Sequence, residues 1–162
     1  MSRAFGHHSR WGALSHRIGG EIASIEWQLN LVLALSMGRD RWAVLQSLQL
    51  VQRLPINERA RILDQLDPLS NGLPQTTVRW LRDLSKIRNQ LAHSWITEAS
   101  ADSATFQSFY RGSLQTFTLT DVDMATHLRK AARVQRNLIW LETMVGDPAV
   151  WAQLMGFDAR DR

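Results

Sequence analysis

The residues best suited to chemistry in this chain fall in one short run, Arg88-Asn89-Gln90-Leu91-Ala92-His93. Histidine is the side chain whose ordinary pKa lies close to neutral pH, so it can take and return a proton during a reaction. Arginine keeps its charge throughout the physiological range, and its forked donors match the oxygens of a phosphate. Asn89 lies one turn before His93 on an ideal helix, where it could orient the imidazole or donate to a phosphate oxygen. A proton carrier, a phosphate clamp and an orienting amide are what RNA needs to be cut by its own 2′-hydroxyl. That reaction requires a proton acceptor, stabilisation of the phosphorane charge and help for the departing 5′-oxygen. It leaves 2′,3′-cyclic phosphate and 5′-hydroxyl ends.

Other chemistries find less support. The chain carries no Gly-rich phosphate loop, no His-Glu-x-x-His and no Gly-x-Ser-x-Gly elbow. Its carboxylates are scattered, without the compact set that a two-metal nuclease uses. His7, His8 and His16 lie near the N-terminus without the acidic or further histidine partners that a metal site requires. There is no cysteine, which excludes disulfides and thiolate metal sites. No metal and no cofactor is therefore expected.

The element that must position the motif is a long amphipathic helix over Thr76–Ile96, entered just after Pro74. At about 100° per residue, Trp80, Leu84, Ile87, Leu91 and Trp95 share one face. Arg79, Arg82, Lys86, Asn89 and His93 form the opposite, cationic face. Arg88 breaks the pattern by projecting towards the apolar side or its margin, where a guanidinium must be paired or lie at an interface. His93 is about 140° further round an ideal helix, so one straight helix does not aim both side chains at one small target. The helix distorts at its end, or Arg88 reaches around it, or a second copy of the chain completes the site.

Arg88-Asn89, three intervening residues and then His93, late in an amphipathic helix of a small helical domain, resembles the HEPN superfamily. The resemblance covers the helical core, roughly 18–145, and its specific part is the six-residue motif. It implies a metal-independent ribonuclease that cleaves single-stranded RNA, acts as a toxin or defence protein, and works as a homodimer whose motifs meet at the interface. His93 would be the acid/base, Arg88 the phosphate clamp and Asn89 the orienting group. A toxin role would call for a protein partner such as a nucleotidyltransferase-like antitoxin. The family also contains non-catalytic regulatory or binding proteins, of which the mannitol operon repressor type is an example, so resemblance alone does not decide between the two classes.

The 162 residues suffice for one domain with a real core. A hydrophobic content of 44% beside a charged content of 21% excludes a disordered chain. The N-terminus lacks the apolar stretch of a signal peptide, and the greasy run Leu29–Met37 is too short to span a bilayer. A cytoplasmic protein without membrane contact is the expectation. The net charge is +4, and Lys86 and Lys130 are the only lysines among the 19 cations. This balance is compatible with RNA binding, although an arginine-rich proteome explains it equally well.

The remaining chain reads as an all-α antiparallel bundle of four to five helices, with a small β-hairpin fitting over 106–119. Residues 1–17 read as a basic, flexible arm, and 18–158 as one domain. Ile18–Met37 is the first helix, with a stripe of Ile18, Ile22, Ile25, Leu29 and Leu33. Glu26 lies within or beside that stripe; either it pairs with Arg88 in a structural role or it reaches water at the stripe edge. Asp40 should cap a helix over Trp42–Leu54, and Asn57 a short one over Glu58–Leu66. A loop follows over Asp67–Pro74. Thr120-Asp121-Val122-Asp123 reads as a capping box for a last long helix, Met124–Val145. On that helix His127 projects with the apolar side, as a core histidine would. Arg133, Arg136 and Trp140 lie opposite, and with Arg79, Arg82 and Lys86 they are the candidate RNA-binding residues. A final short helix is expected over Asp147–Met155.

Overall fold

A computed structural model describes residues 2–66, 73–110 and 112–146. The chain is mostly helical and carries a small antiparallel sheet, in the order α1 (Ser2–Met37), α2 (Arg41–Val51), α3 (Ile56–Gln65), α4 (Leu73–Ala92), β1 (Ser94–Ala99), β2 (Ser103–Tyr110), β3 (Ser113–Thr120) and α5 (Asp121–Val145). It divides into two compact units, Met1–Ser24 with Asp83–Arg133 and Ile25–Arg82 with Val134–Arg162. Among the described residues, no helix is long and apolar enough to cross a membrane. The loop expected over Asp67–Pro74 falls for the most part outside the described residues, and the short helix expected over Asp147–Met155 does so entirely.

The first unit holds the sheet. Its strands are rich in Thr, Phe, Trp and Ile, residues that fit a pleated surface better than a helix. The order is β1-β2-β3, with both pairs antiparallel. Along β2 the side chains alternate as the pleat requires, with Ala104, Phe106 and Ser108 buried. Phe106 stacks on its cross-strand partner Phe117, ring centroids 5.3 Å apart. Tyr110 pairs with Ser113 across the tight β2–β3 connection, where Gly112 has φ +80°, a left-handed conformation that glycine adopts without strain. The register shifts between Ile96 and Glu98, and Thr97 uses its hydroxyl to donate to the Thr105 carbonyl at 3.2 Å.

Three expectations need correction here. The expected helix does not continue to Ile96: α4 ends at Ala92, and Ser94–Ala99 is a strand. The Ser94 hydroxyl donates to the Leu91 carbonyl at 3.2 Å, which satisfies one of the carbonyls left open at the helix end. Trp95 is accordingly 48% exposed on a strand instead of buried on a helix face. The hairpin expected over 106–119 is the β2–β3 part of a larger, three-stranded sheet. Residues expected as a flexible arm are likewise helical from Ser2 onwards. Trp11 is fully buried, with its indole N–H donating to the Ser100 carbonyl at 3.0 Å. Arg10 forks onto the Asp121 carboxylate at 2.7 and 2.8 Å and also donates to the Ala101 carbonyl.

The second unit is built from helices. Asp40 caps α2 as expected, accepting from the Trp42 and Ala43 amides at 2.9 and 3.0 Å. Gly38 is required just before it, because a Cβ there would lie 2.5 Å from the Val44 nitrogen. α3 begins at Ile56, and Pro55 instead of Asn57 stands at its N-cap, without a side-chain cap. Arg59 is buried and donates to Asn30 at 2.7 Å and to Glu26 at 3.2 Å. Farther along the chain, Asn137 donates at 2.9 Å to the buried Thr77 hydroxyl, which itself bonds the Leu73 carbonyl.

Candidate functional site

The motif occupies the last turn of α4 and its junction with β1. Leu84, Ser85 and Ile87 are buried and anchor this part of the helix in the first unit. Arg88 and Asn89 follow on its exposed side. Because α4 stops at Ala92, His93 stands one residue beyond the helix, at the corner where the chain turns into the sheet. It is exposed there. β1 leaves that corner paired to β2, which brings the end of β2 and the start of β3 to the His93 corner.

Asn89, His93 and Lys86 line one cavity of about 500 Å³, together with Gln90 from α4 and Ser108, Phe109 and Gln115 from the sheet. Ser108, Phe109 and Gln115 belong to the hairpin expected over 106–119. Phe109 is the residue that sequence reasoning missed: the ring is 67% exposed at the cavity wall, and no local pattern marks it, since only strand pairing brings it to the motif.

Arg88 lines a second cavity, of about 690 Å³, between α4 and the first half of α1. Its other walls include Ser15, His16, Gly19 and Gly20 of α1, with Leu91 and Ser94 on the motif side. Arg88 and His93 therefore open into different cavities of one chain, His93 standing beyond the end of the helix that carries Arg88. Asn89 connects the two sides, because its Oδ1 accepts from Arg88 Nη1 at 3.4 Å while its side chain lines the His93 cavity. A contact of that length is weak.

The other candidates divide clearly. Lys86 joins the His93 cavity. Arg79, Arg82, Arg133, Arg136 and Trp140 are all exposed, and none is among the described residues lining either cavity. Glu26 accepts from Arg59, a partner that sequence reasoning did not name. The signal for Arg59 was available: with Ile56, Ala60 and Leu63 it repeats at three and four residues along the inner face of α3.

His127 lies on α5 in the same unit, half-buried, and its Nδ1 has no hydrogen-bond partner among the described residues. It is thus not the satisfied core histidine that its position suggests. Burial holds its pKa below the ordinary value, and the charge of Lys130 adds to this, against opposing pulls from Asp123 and Asp83. Lys130 itself pairs with Asp83 at 2.6 Å. Asp123 closes the expected capping box, accepting from the Thr120 amide and hydroxyl at 2.9 and 2.7 Å. Those bonds hold its carboxyl below the usual carboxylate range. Among the described residues, no three His, Asp or Glu side chains converge as metal ligands would. No family model, curated protein or solved structure matches the chain.

Proposed function

We propose that this protein is a HEPN-type endoribonuclease that cleaves single-stranded RNA without a metal ion. The observation that carries the reading is the arrangement of Asn89, which accepts from Arg88 and lines the same cavity as His93. In this reading His93 removes the 2′-hydroxyl proton as the oxygen attacks the adjacent phosphorus. Arg88 neutralises the phosphorane, and the 5′-oxygen departs with a proton returned from protonated histidine. Lys86 draws the phosphate backbone towards the cavity. Glu26 serves a structural role as a partner of Arg59.

Because Arg88 and His93 open into different cavities of one chain, the working form is a two-fold homodimer of antiparallel helical bundles, with His93 of each copy near the axis. Sedimentation should give a dimer at micromolar concentration; a monomer that nevertheless cleaves RNA would refute the shared site. The cell would contain a cytoplasmic toxin or defence protein restrained by a protein partner. The same separation of Arg88 from His93 favours a second reading, a non-catalytic regulatory or binding protein in which no composite site forms. Total RNA incubated with wild type or His93→Ala in excess EDTA separates the two. Cleavage by wild type alone supports the enzyme, and intact RNA in both lanes supports the regulatory protein.

A further inference from the structure

The His93 cavity contains an aromatic ring for which the proposed chemistry has no use. Phe109 is 67% exposed, and its cross-strand partner Leu114 is 53% exposed. Trp95, paired with Gln107 on the neighbouring strand, is 48% exposed. Residues 107 and 109 share one face of β2 by the period-two rule, so Trp95, Phe109 and Leu114 project to the same side of the sheet. Leaving a large ring in water forgoes the free energy that its burial would contribute. The polar company is specific as well. Lys86, Asn89, Gln90, His93 and Gln115 line the cavity, and no carboxylate is among the described residues around it. One cation, a histidine and amides in the cavity that Phe109 borders suit an anionic ligand that also carries flat, hydrogen-bonding groups.

Building on the ribonuclease reading, we propose that Phe109 is a stacking platform for an unpaired base next to the phosphate that His93 serves. Every nucleobase has a face that can stack on a phenyl ring, and the amides of Asn89 and Gln90 line the same cavity to meet its edge. A base inside a duplex cannot offer that face without unstacking. The platform therefore makes single-stranded RNA the substrate class by geometry, independently of the chemical step, and directs cleavage to unpaired positions.

The test uses the full chain carrying His93→Ala, so that binding is read without cleavage, and a 12-nucleotide RNA containing one 2-aminopurine. Stacking should alter the 2-aminopurine fluorescence on binding. Phe109→Ala should weaken binding by about 5- to 150-fold and abolish the fluorescence change. Phe109→Trp should retain both, and Phe109→Leu, which keeps apolar bulk without a ring, should behave as Phe109→Ala. Lys86→Ala should instead lower the salt dependence by about 0.7 in the slope of log K against log salt concentration. Equal binding by the parent, Phe109→Ala and Phe109→Leu would overturn the platform while leaving the nuclease reading intact. Parental protein that binds no RNA would overturn both. Phe109-dependent binding by a chain that never cleaves RNA would support the platform and sink the nuclease.

Discussion

Arg59 and Arg88 are the same side chain in opposite settings. Arg59 belongs to the second unit, has a side chain only 8% exposed, and is held by Asn30 and Glu26. Arg88 belongs to the first unit, is exposed, lines an open cavity and donates to Asn89 at 3.4 Å. A buried guanidinium held by its own chain through Nη1 and Nη2 is a structural cross-link, even with Nε left without a partner among the described residues, and its removal strands the partners it leaves behind. One exposed at the wall of a cavity is within reach of a ligand that enters it. Charge and residue type are identical, so the distinction lies in burial and in the geometry of the partners.

The largest effect expected from breaking this contrast is on stability. Arg59→Ala should lose roughly 3–5 kcal/mol, since Glu26 would remain part-buried without that partner. Denaturant unfolding measures it, and a loss below about 1 kcal/mol would show that the buried arginine is dispensable. Arg88→Lys should do the reverse, leaving the unfolding midpoint within the ±0.5 kcal/mol usual for surface changes. RNA cleavage should nevertheless fall at least tenfold, because a point charge cannot reproduce a bidentate fork. If Arg88→Lys unfolds the protein while cleavage per folded molecule is unchanged, the two arginines have been assigned the wrong way round.

The smallest effect concerns His127. Its folded pKa lies below the ordinary 6.5, so the unfolded chain binds the proton more readily. The stability arising from the neutral ring is complete above about 6.5 and is lost as pH falls towards the folded value. The melting temperature should therefore decline as pH drops from 7 to 5, and His127→Gln should flatten that slope. Asp123, whose carboxyl the Thr120 hydrogen bonds hold below the usual carboxylate range, stays ionised throughout this window and adds no slope. Identical slopes in the two proteins would assign the pH dependence to other groups.

What could be read from the sequence was local. The Asp40 cap and the Thr120–Asp123 box are fixed by side chains reaching two or three residues along the chain, and both formed as expected. The Asn89–His93 pairing into one cavity followed from their four-residue spacing, and it survived the end of the helix at Ala92. The failures were of long range. Trp95 fits the apolar face of a helix as well as it fits a strand, and pairing with Gln107 decided the matter. Residues before Arg17 look like a polar arm until Arg10 meets Asp121, 111 positions away, and Trp11 meets Ser100. Phe109 had no sequence signal as a site residue, because only the β1–β2 register carries it to His93.

The central claim is that His93 moves the proton when RNA is cut. The most direct measurement is the cleavage rate of a defined single-stranded oligoribonucleotide in excess EDTA, with wild type and with His93→Ala at a matched melting temperature, and with the product ends identified by mass. A drop on the order of 10²–10⁴ in the variant, with 2′,3′-cyclic phosphate and 5′-hydroxyl ends from wild type, is the predicted result. Equal rates in the two proteins, or cleavage that appears only when magnesium is restored, would contradict it.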